Sequence, residues 1–288
     1  MSQPIASVVI PAYNEGAVIG RALAALTSER LDGPLEIVVS ANGCTDSTVQ
    51  QARSFAGVRV LDRPQPGKTG ALNAGDACAT AFPRVYLDAD VELSPGALRA
   101  LIAALQGPEP LVGAPSVRFD TTASSSAVRA YYSVFARLPY VTRGLIGLGV
   151  YALSAAGRSR FGAFPDVLGD DLFVERHFAP GERVTSAGTF TVHAPRDLRS
   201  LLAVRTRVAR GNAELADTFP ETTSSTTAAV RELVRERPGS APAAAVFCAV
   251  SAGARLRSRR ARGGPSWERD ESSRTLRSAS VPAGRVRP

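Results

Sequence analysis

Asp88 and Asp90, in Tyr86-Leu87-Asp88-Ala89-Asp90, are carboxylates one residue apart just past a short apolar run at Val85 to Leu87. A backbone turning there can aim both side chains at one point. Hard divalent cations such as Mg²⁺ or Mn²⁺ take such oxygen ligands and keep other positions for phosphate and water. On an ordinary solvated loop the same spacing would mean nothing; the place at the carboxyl end of a buried strand favours the metal. Three more stretches offer ligand contacts. In Val9-Ile10-Pro11-Ala12-Tyr13-Asn14-Glu15, Tyr13 can present an aromatic face to a base and Glu15 can accept from a ribose or base. Pro11 would halt the strand there, and Asn14 would cap the helix that follows. In Ser40-Ala41-Asn42-Gly43-Cys44-Thr45-Asp46, the Asn42 amide both donates and accepts, so it could read a base edge. In Pro66-Gly67-Lys68-Thr69-Gly70, Lys68 is a point charge suited to phosphate or ribose, although the spacing of a phosphate-binding P-loop is absent.

These residues need a scaffold that brings four loops to one edge. Apolar runs at 5–10, 35–39, 58–61 and 85–87 read as buried strands. Helices are expected between them: one with Val18, Ile19, Leu23 and Leu26 on a face, one from Thr45 or Asp46 to Phe55, one over 71–80, and one after Ser94-Pro95 through Leu105. Strands alternating with helices imply an α/β fold with a doubly wound, mostly parallel sheet, and ligands at the carboxyl ends of its strands. Beyond residue 110 the pattern predicts helices over 124–138, from about Asp170 and over 197–212, with short strands near Tyr151 and over 189–192. Residues 221–227 and 237–243 read as linkers around a charged helix.

The chain has 288 residues, 44% of them hydrophobic, enough for a large core. Its three cysteines form no framework, and Ile5 to Ile10 is too short for a leader, so a cytoplasmic protein is expected. The formal charge of +8 sits at one end: residues 231–288 hold 13 arginines against five acidic residues. Lys68 is the one lysine among 34 basic residues. The apolar stretch 243–256 falls short of the roughly 20 residues a bilayer span needs, but the arginines after it would suit an anionic membrane face or a solvated helix end equally. Trp267 stands alone among interrupted charges, which argues against nucleic acid as a partner.

VVIPAYNE, ANGCTD, PGKTGALNAG and YLDAD, in this order and spacing, resemble the signature of glycosyltransferase family 2, inverting enzymes of the GT-A fold. The resemblance covers roughly residues 5–215. It implies a domain at 1–215, with a nucleotide-sugar half at 1–110 and an acceptor half at 111–215. A helical, membrane-associating segment would follow at 216–262 and a disordered basic tail at 263–288. The donor would be a UDP-sugar first, a GDP- or dTDP-sugar otherwise, bound near Pro11, Tyr13, Glu15, Asn42, Lys68, Asp88, Ala89 and Asp90. The ion on Asp88 and Asp90 would be Mg²⁺ or Mn²⁺. Gly169-Asp170-Asp171 resembles the family's acidic pair, which makes Asp171 the base and Asp170 a helix cap or orienting neighbour. His193 has the place of a downstream metal ligand, although a packed histidine is an equal reading. Gly147 and Gly149 resemble the glycine-rich acceptor loop, and Arg207 or Arg210 would lie near the diphosphate.

Two departures matter. Ala41 stands where the family usually has an acidic residue. The arginine stretch 207–212 lacks the Gln and Trp of processive synthases, so transfer of a single sugar is expected, to an unknown acceptor such as a lipid-linked or cell-envelope glycan precursor. The alternatives are an inactive nucleotide-sugar binder and a sugar-phosphate nucleotidyltransferase. The latter should carry a Gly-rich, Arg-containing loop where PAYNE stands.

Overall fold

The computed structural model describes residues 3–142, 148–216 and 226–260. The apolar runs become β1 (Ala6–Ala12), β2 (Leu35–Asn42), β3 (Val58–Arg63) and β4 (Arg84–Leu87), parallel in the order β3-β2-β1-β4. Every residue of β1 and β4 is buried, as expected for strands covered on both faces. Three helices alternate with them: α1 (Ile19–Ser28), α2 (Thr48–Arg53) and α3 (Lys68–Cys78). Ile19, Ala22, Leu23 and Leu26 form the buried stripe of α1, spaced at the helical period.

The second half is mixed rather than parallel. After β5 (Glu92–Leu93) and α4 (Ala97–Ala104) come β6 (Val112–Asp120), α5 (Ser126–Phe135), α6 (Pro139–Thr142) and β7 (Val150–Leu153). Then follow α7 (Ala155–Arg158), α8 (Asp170–Glu175) and β8 (Arg183–His193). β7 pairs antiparallel with β4 and β6, β8 lies parallel to β6, and β5 closes the eight-stranded sheet antiparallel to β8. β5 and β6 were not expected. β5 is two residues long, and Gly113 and Pro115 interrupt the apolar run of β6, where the register shifts between Pro115 and Ser116.

Several local expectations give way to tertiary contacts. Pro11 does not halt β1, which pairs Pro11 with Ser40 and ends at Ala12. Asn14 is no helix cap: it has φ 51°, its Oδ1 accepts from the Thr45 N–H at 2.7 Å, and α1 begins only at Ile19. Ahead of α4 the cap is Gly96 at φ 78°, while Ser94 Oγ accepts from the Thr189 N–H. α3 starts three residues before Ala71, so Lys68 lies in its first turn and Asn73 and Gly75 inside it. Asn73 clamps the backbone of Phe164 from both sides. A Cβ on Gly75 would stand 2.4 Å from Val9 Cγ1, so glycine lets α3 lie down on β1.

The chain continues through α9 (Leu198–Ala216), α10 (Thr226–Glu236) and α11 (Ala241–Arg260). Asp197 Oδ1 accepts from the Ser200 N–H at 2.8 Å and starts α9. α11 packs on α5 and α9, burying Ala244, Phe247, Val250 and Ala254, with Phe247 stacked on Tyr131 at 5.1 Å. The helical run 238–260 exceeds the expected stretch and is long and apolar enough to cross a membrane, with mean hydropathy 1.2 in its most apolar window and 22% of that window buried. Of the expected linker at 221–227, residues 226–227 open α10 and the rest lie outside the described residues, as does the tail at 263–288, while the linker expected at 237–243 is a short 3-10 turn running into α11.

Candidate active site

Asp88 follows β4, and its N–H donates to the Gly149 carbonyl at 2.7 Å. Gly149 has φ 107°, and a Cβ there would stand 2.5 Å from Val91 Cγ2, so only glycine lets the segment before β7 come this close to Asp88. Across the cleft, the first turn of α3 carries Lys68, whose ammonium lies 2.9 Å from Asp88 Oδ1 and 3.0 Å from Asp170 Oδ1. The Asp170 side chain is 4% exposed, and its Oδ2 accepts from the Tyr151 hydroxyl at 3.2 Å. It orients neighbours rather than capping α8, which Gly169 precedes. Asp171 Oδ2 accepts from the Leu148 N–H at 3.2 Å. Pro11, Lys68, Asp88, Gly149, Asp170 and Asp171 thus line one cleft at the carboxyl ends of β1 and β4.

The electrostatics follow from gathering carboxylates in a partly buried place. Burial raises the pKa of Asp88; Lys68 opposes this, Asp170 and Asp90 add to it, and the net shift is upward. Burial alone would lower the pKa of Lys68, but Asp170, Asp88 and Asp171 outweigh it and hold the ammonium charged. A cation is therefore at home between these carboxylates. Among the described residues, no three His, Cys, Asp or Glu side chains are placed to hold a metal ion by themselves. Two carboxylates at Asp88 and Asp90, with further positions left to other oxygens, fit the way Mg²⁺ is held by protein and phosphate together.

The other expected residues are distributed as follows. Tyr13 is partly exposed beyond β1, whereas Glu15 is 5% exposed and its N–H donates to Thr48 Oγ1 at 2.7 Å. Asn42 is fully buried; its Nδ2 donates to the Ala12 carbonyl at 2.8 Å and its Oδ1 accepts from the Gly67 N–H at 2.9 Å. Both of its polar groups are thus spent on tying β1 to the entry of α3 instead of facing a base edge. Ala41 and Ala89 are buried beside it and Asp88 respectively. His193 ends β8 with Nδ1 3.2 Å from Asp120 Oδ2 and Nε2 3.4 Å from Glu92 Oε1, two residues past Asp90. Its side chain is 33% exposed, so it is not a packed core residue. Arg207 and Arg210 are half-buried on α9. Close by, a Cβ on Gly211 would stand 3.3 Å from the Gly169 nitrogen, and Glu214 accepts from the Leu168 N–H, so α9 rides against the loop that presents Asp170. Gly147 lies outside the described residues.

Behind the cleft is a layer that sequence reasoning missed. Tyr151 stacks on Tyr86 at 5.0 Å, the Tyr86 hydroxyl donates to Asp76 Oδ1 at 2.6 Å, and Asp76 also receives Arg84 and Arg158, each at 2.8 Å. Arg84, opening an otherwise apolar strand, was the available signal: a buried guanidinium needs a counter-ion.

Comparison with known proteins agrees with this geometry. A model of glycosyl transferase family 2 matches residues 7–159. Validoxylamine A glucosyltransferase of Streptomyces hygroscopicus subsp. jinggangensis is 33% identical over 113 residues, which are 37% of this chain and 27% of that enzyme. Chondroitin synthase of Pasteurella multocida is 33% identical over 100 residues, 33% of this chain and 10% of that protein. The chain therefore spans only a minor part of the curated relatives it matches. Among solved structures, a mannosyltransferase of Pyrobaculum calidifontis in complex with GDP-Man and Mn²⁺ aligns with a TM-score of 0.61 at 23% identity, over 88% of this chain and 76% of that one. Glucosyl-3-phosphoglycerate synthase of Mycobacterium tuberculosis, in complex with Mn²⁺, UDP and glucosyl-3-phosphoglycerate, aligns with a TM-score of 0.53 at 22% identity, over 76% and 81%. These likenesses bear out the GT-A fold. With more than half of its length inside the family match, the chain belongs to glycosyl transferase family 2.

Proposed function

We propose that the chain transfers a single sugar from a nucleotide-diphosphate donor to an acceptor hydroxyl, with inversion at the anomeric carbon. The observation that carries this reading is the meeting of Asp88 with the Asp170-Asp171 pair across Lys68, which sets donor-side and acceptor-side carboxylates in one cleft. Asp88 and Asp90 would hold Mg²⁺ or Mn²⁺, and His193 would join them by leaving Asp120 and Glu92. When bound, that ion neutralises charge on the departing diphosphate. Asp171 takes the proton from the acceptor hydroxyl as its oxygen attacks. Asp170 is buried with its oxygens on the Lys68 ammonium and the Tyr151 hydroxyl, whereas Asp171, held by two backbone N–H groups, is the partly exposed member of the pair. Lys68, Arg207 and Arg210 supply positive charge for the phosphates, Tyr13 and Glu15 serve the nucleoside, and Gly149 keeps the acceptor-side segment close to Asp88. The donor is a UDP-, GDP- or dTDP-sugar; solved relatives were crystallised with GDP-Man and with UDP.

The acceptor we favour is lipid-linked or a cell-envelope glycan precursor, with the chain held at the cytoplasmic membrane face by α11. Ala245, Cys248, Ala249, Ala252 and Leu256 point outward from that helix, and Arg255, Arg257, Arg259 and Arg260 are exposed at its end. An apolar face that ends in clustered arginines complements an anionic lipid surface.

Two assays test the reading. UDP-, GDP- and dTDP-sugars are screened for Mn²⁺-dependent donor hydrolysis, and the same donor is given to Asp90→Ala and Asp171→Asn. Asp90→Ala should abolish turnover, and Asp171→Asn should lower transfer by about 10²–10⁴-fold while keeping donor binding. A parent protein that binds a donor and turns over none would be a binder, not an enzyme. For the membrane, co-sedimentation with phosphatidylglycerol vesicles should be lost when Arg255, Arg257, Arg259 and Arg260 are changed to Glu; unchanged sedimentation rejects that surface.

A further inference from the structure

Lys68 is the only lysine in a chain that uses arginine at every other basic position. Its ammonium sits between Asp88 and Asp170 at 2.9 and 3.0 Å, with its side chain 25% exposed. Asp170 is fixed from behind by Tyr151, and Asp171 stands on the same turn. An ammonium is a compact point charge on a flexible stem, able to bridge two carboxylate oxygens and then withdraw; a guanidinium is planar and matched to one carboxylate in a fixed fork. The position therefore calls for lysine specifically.

We propose that Lys68 is the counter-cation of the Asp88 and Asp170 carboxylates and that it is exchanged, not merely joined, when the donor arrives. The inference rests on the reading that Asp88 and Asp90 hold the donor's divalent ion. Lys68 offsets the repulsion between Asp88 and Asp170 and so keeps the cleft assembled. A divalent ion arriving alone has to compete with an ammonium already on Asp88. An ion arriving with a diphosphate gives that ammonium new oxygens to bind, and the charge count of the cleft is restored. Loading of ion and diphosphate is then cooperative, with Lys68 as the coupling element.

The lone lysine makes the exchange directly observable. With ¹³C,¹⁵N-lysine in the full chain, the Lys68 side chain gives a single NMR signal. Millimolar Mg²⁺ alone should leave it in place, and Mg²⁺ with UDP, GDP or dTDP, tested in parallel, should move it to a new position. In calorimetry without nucleotide, Lys68→Met should bind Mn²⁺ at least about tenfold more tightly than the parent, because a like charge next to the ion is gone. It should also lose most of the gain in Mn²⁺ affinity that the nucleotide gives the parent. The inference is overturned if the signal moves equally with Mg²⁺ alone, if it stays still while a nucleotide binds, or if Lys68→Met shows the parent's coupling. The NMR arm uses the parent protein, so it stands even if Lys68→Met does not fold. If no nucleoside diphosphate with Mg²⁺ raises the melting temperature of the parent, the sugar-nucleotide reading itself fails and takes this inference with it.

Discussion

Tyr151 donates its hydroxyl to Asp170 Oδ2 at 3.2 Å, from a ring that is 3% exposed. Burial and the neighbouring Asp170 charge raise the phenol's pKa well above its ordinary value, so it remains a donor. Tyr151→Phe keeps the ring on Tyr86 and removes only that bond, leaving a buried carboxylate oxygen short of a partner. The expected cost is about 1–3 kcal/mol of stability in denaturant unfolding. The transfer rate should fall as well, since Asp170 holds Lys68 and adjoins Asp171. A Phe variant as stable and as fast as the parent would remove Tyr151 from the site.

Gly149 lies at φ 107° with its would-be Cβ 2.5 Å from Val91. Gly149→Ala should therefore combine left-handed backbone strain with overpacking, each roughly 1–3 kcal/mol. It should also displace Asp88, whose N–H the Gly149 carbonyl accepts. Mn²⁺ affinity measured in the presence of nucleotide is expected to drop together with the melting temperature. Gly162→Ala is the control: a Cβ there meets nothing within 4 Å, and its effect should stay within about 0.5 kcal/mol. Equal melting temperatures for the two variants would contradict the strain argument.

What the sequence displayed was local. Val8, Val9 and Ile10 in β1, or Val85 and Leu87 in β4, are apolar runs that need no partner to be recognised. The acidic pair at the end of β4 and the lone Lys68 were visible for the same reason. β6 stayed hidden because Gly113 and Pro115 carry no strand signal and are held there by β8. Asn14 looked like a cap, yet its left-handed backbone and its bond to Thr45, 31 residues away, decide its role. The link from Lys68 to Asp170 crosses about a hundred residues, and only the family resemblance pointed at Asp170-Asp171. Propensity and capping rules describe a chain's own neighbourhood; these contacts were settled by the sheet.

Asn42 separates a structural role from a reading role. Asn42→Ala takes the amide donor from the Ala12 carbonyl, which keeps the Cys44 thiol, and the amide acceptor from the Gly67 N–H, at about 1–3 kcal/mol in all. Because Gly67 precedes Lys68, donor binding should weaken too, but by a similar factor for UDP-, GDP- and dTDP-sugars. Competition between the three donors measures this directly. A change in base preference would return Asn42 to the base pocket.

Asp76 gives the fold an acid limit that can be worked out in sign. Burial pushes its pKa up, but hydrogen bonds from Tyr86, Arg84 and Arg158 outweigh that and hold it below the usual carboxylate value. The folded pKa is then lower than the unfolded one, so its stabilisation is complete above the unfolded pKa of about 3.9 and is lost as pH falls through the folded value. The parent's unfolding free energy should accordingly fall steeply below about pH 4. Asp76→Asn leaves Arg84 and Arg158, 6% and 14% exposed, without their counter-ion, and should be less stable at pH 7 by roughly 3–5 kcal/mol. As the parent's carboxylate protonates, the two stability curves should converge toward pH 3. Parallel curves with a constant gap from pH 7 to pH 3 would mean that the loss in Asp76→Asn comes from packing rather than from the ion cluster beneath Tyr86.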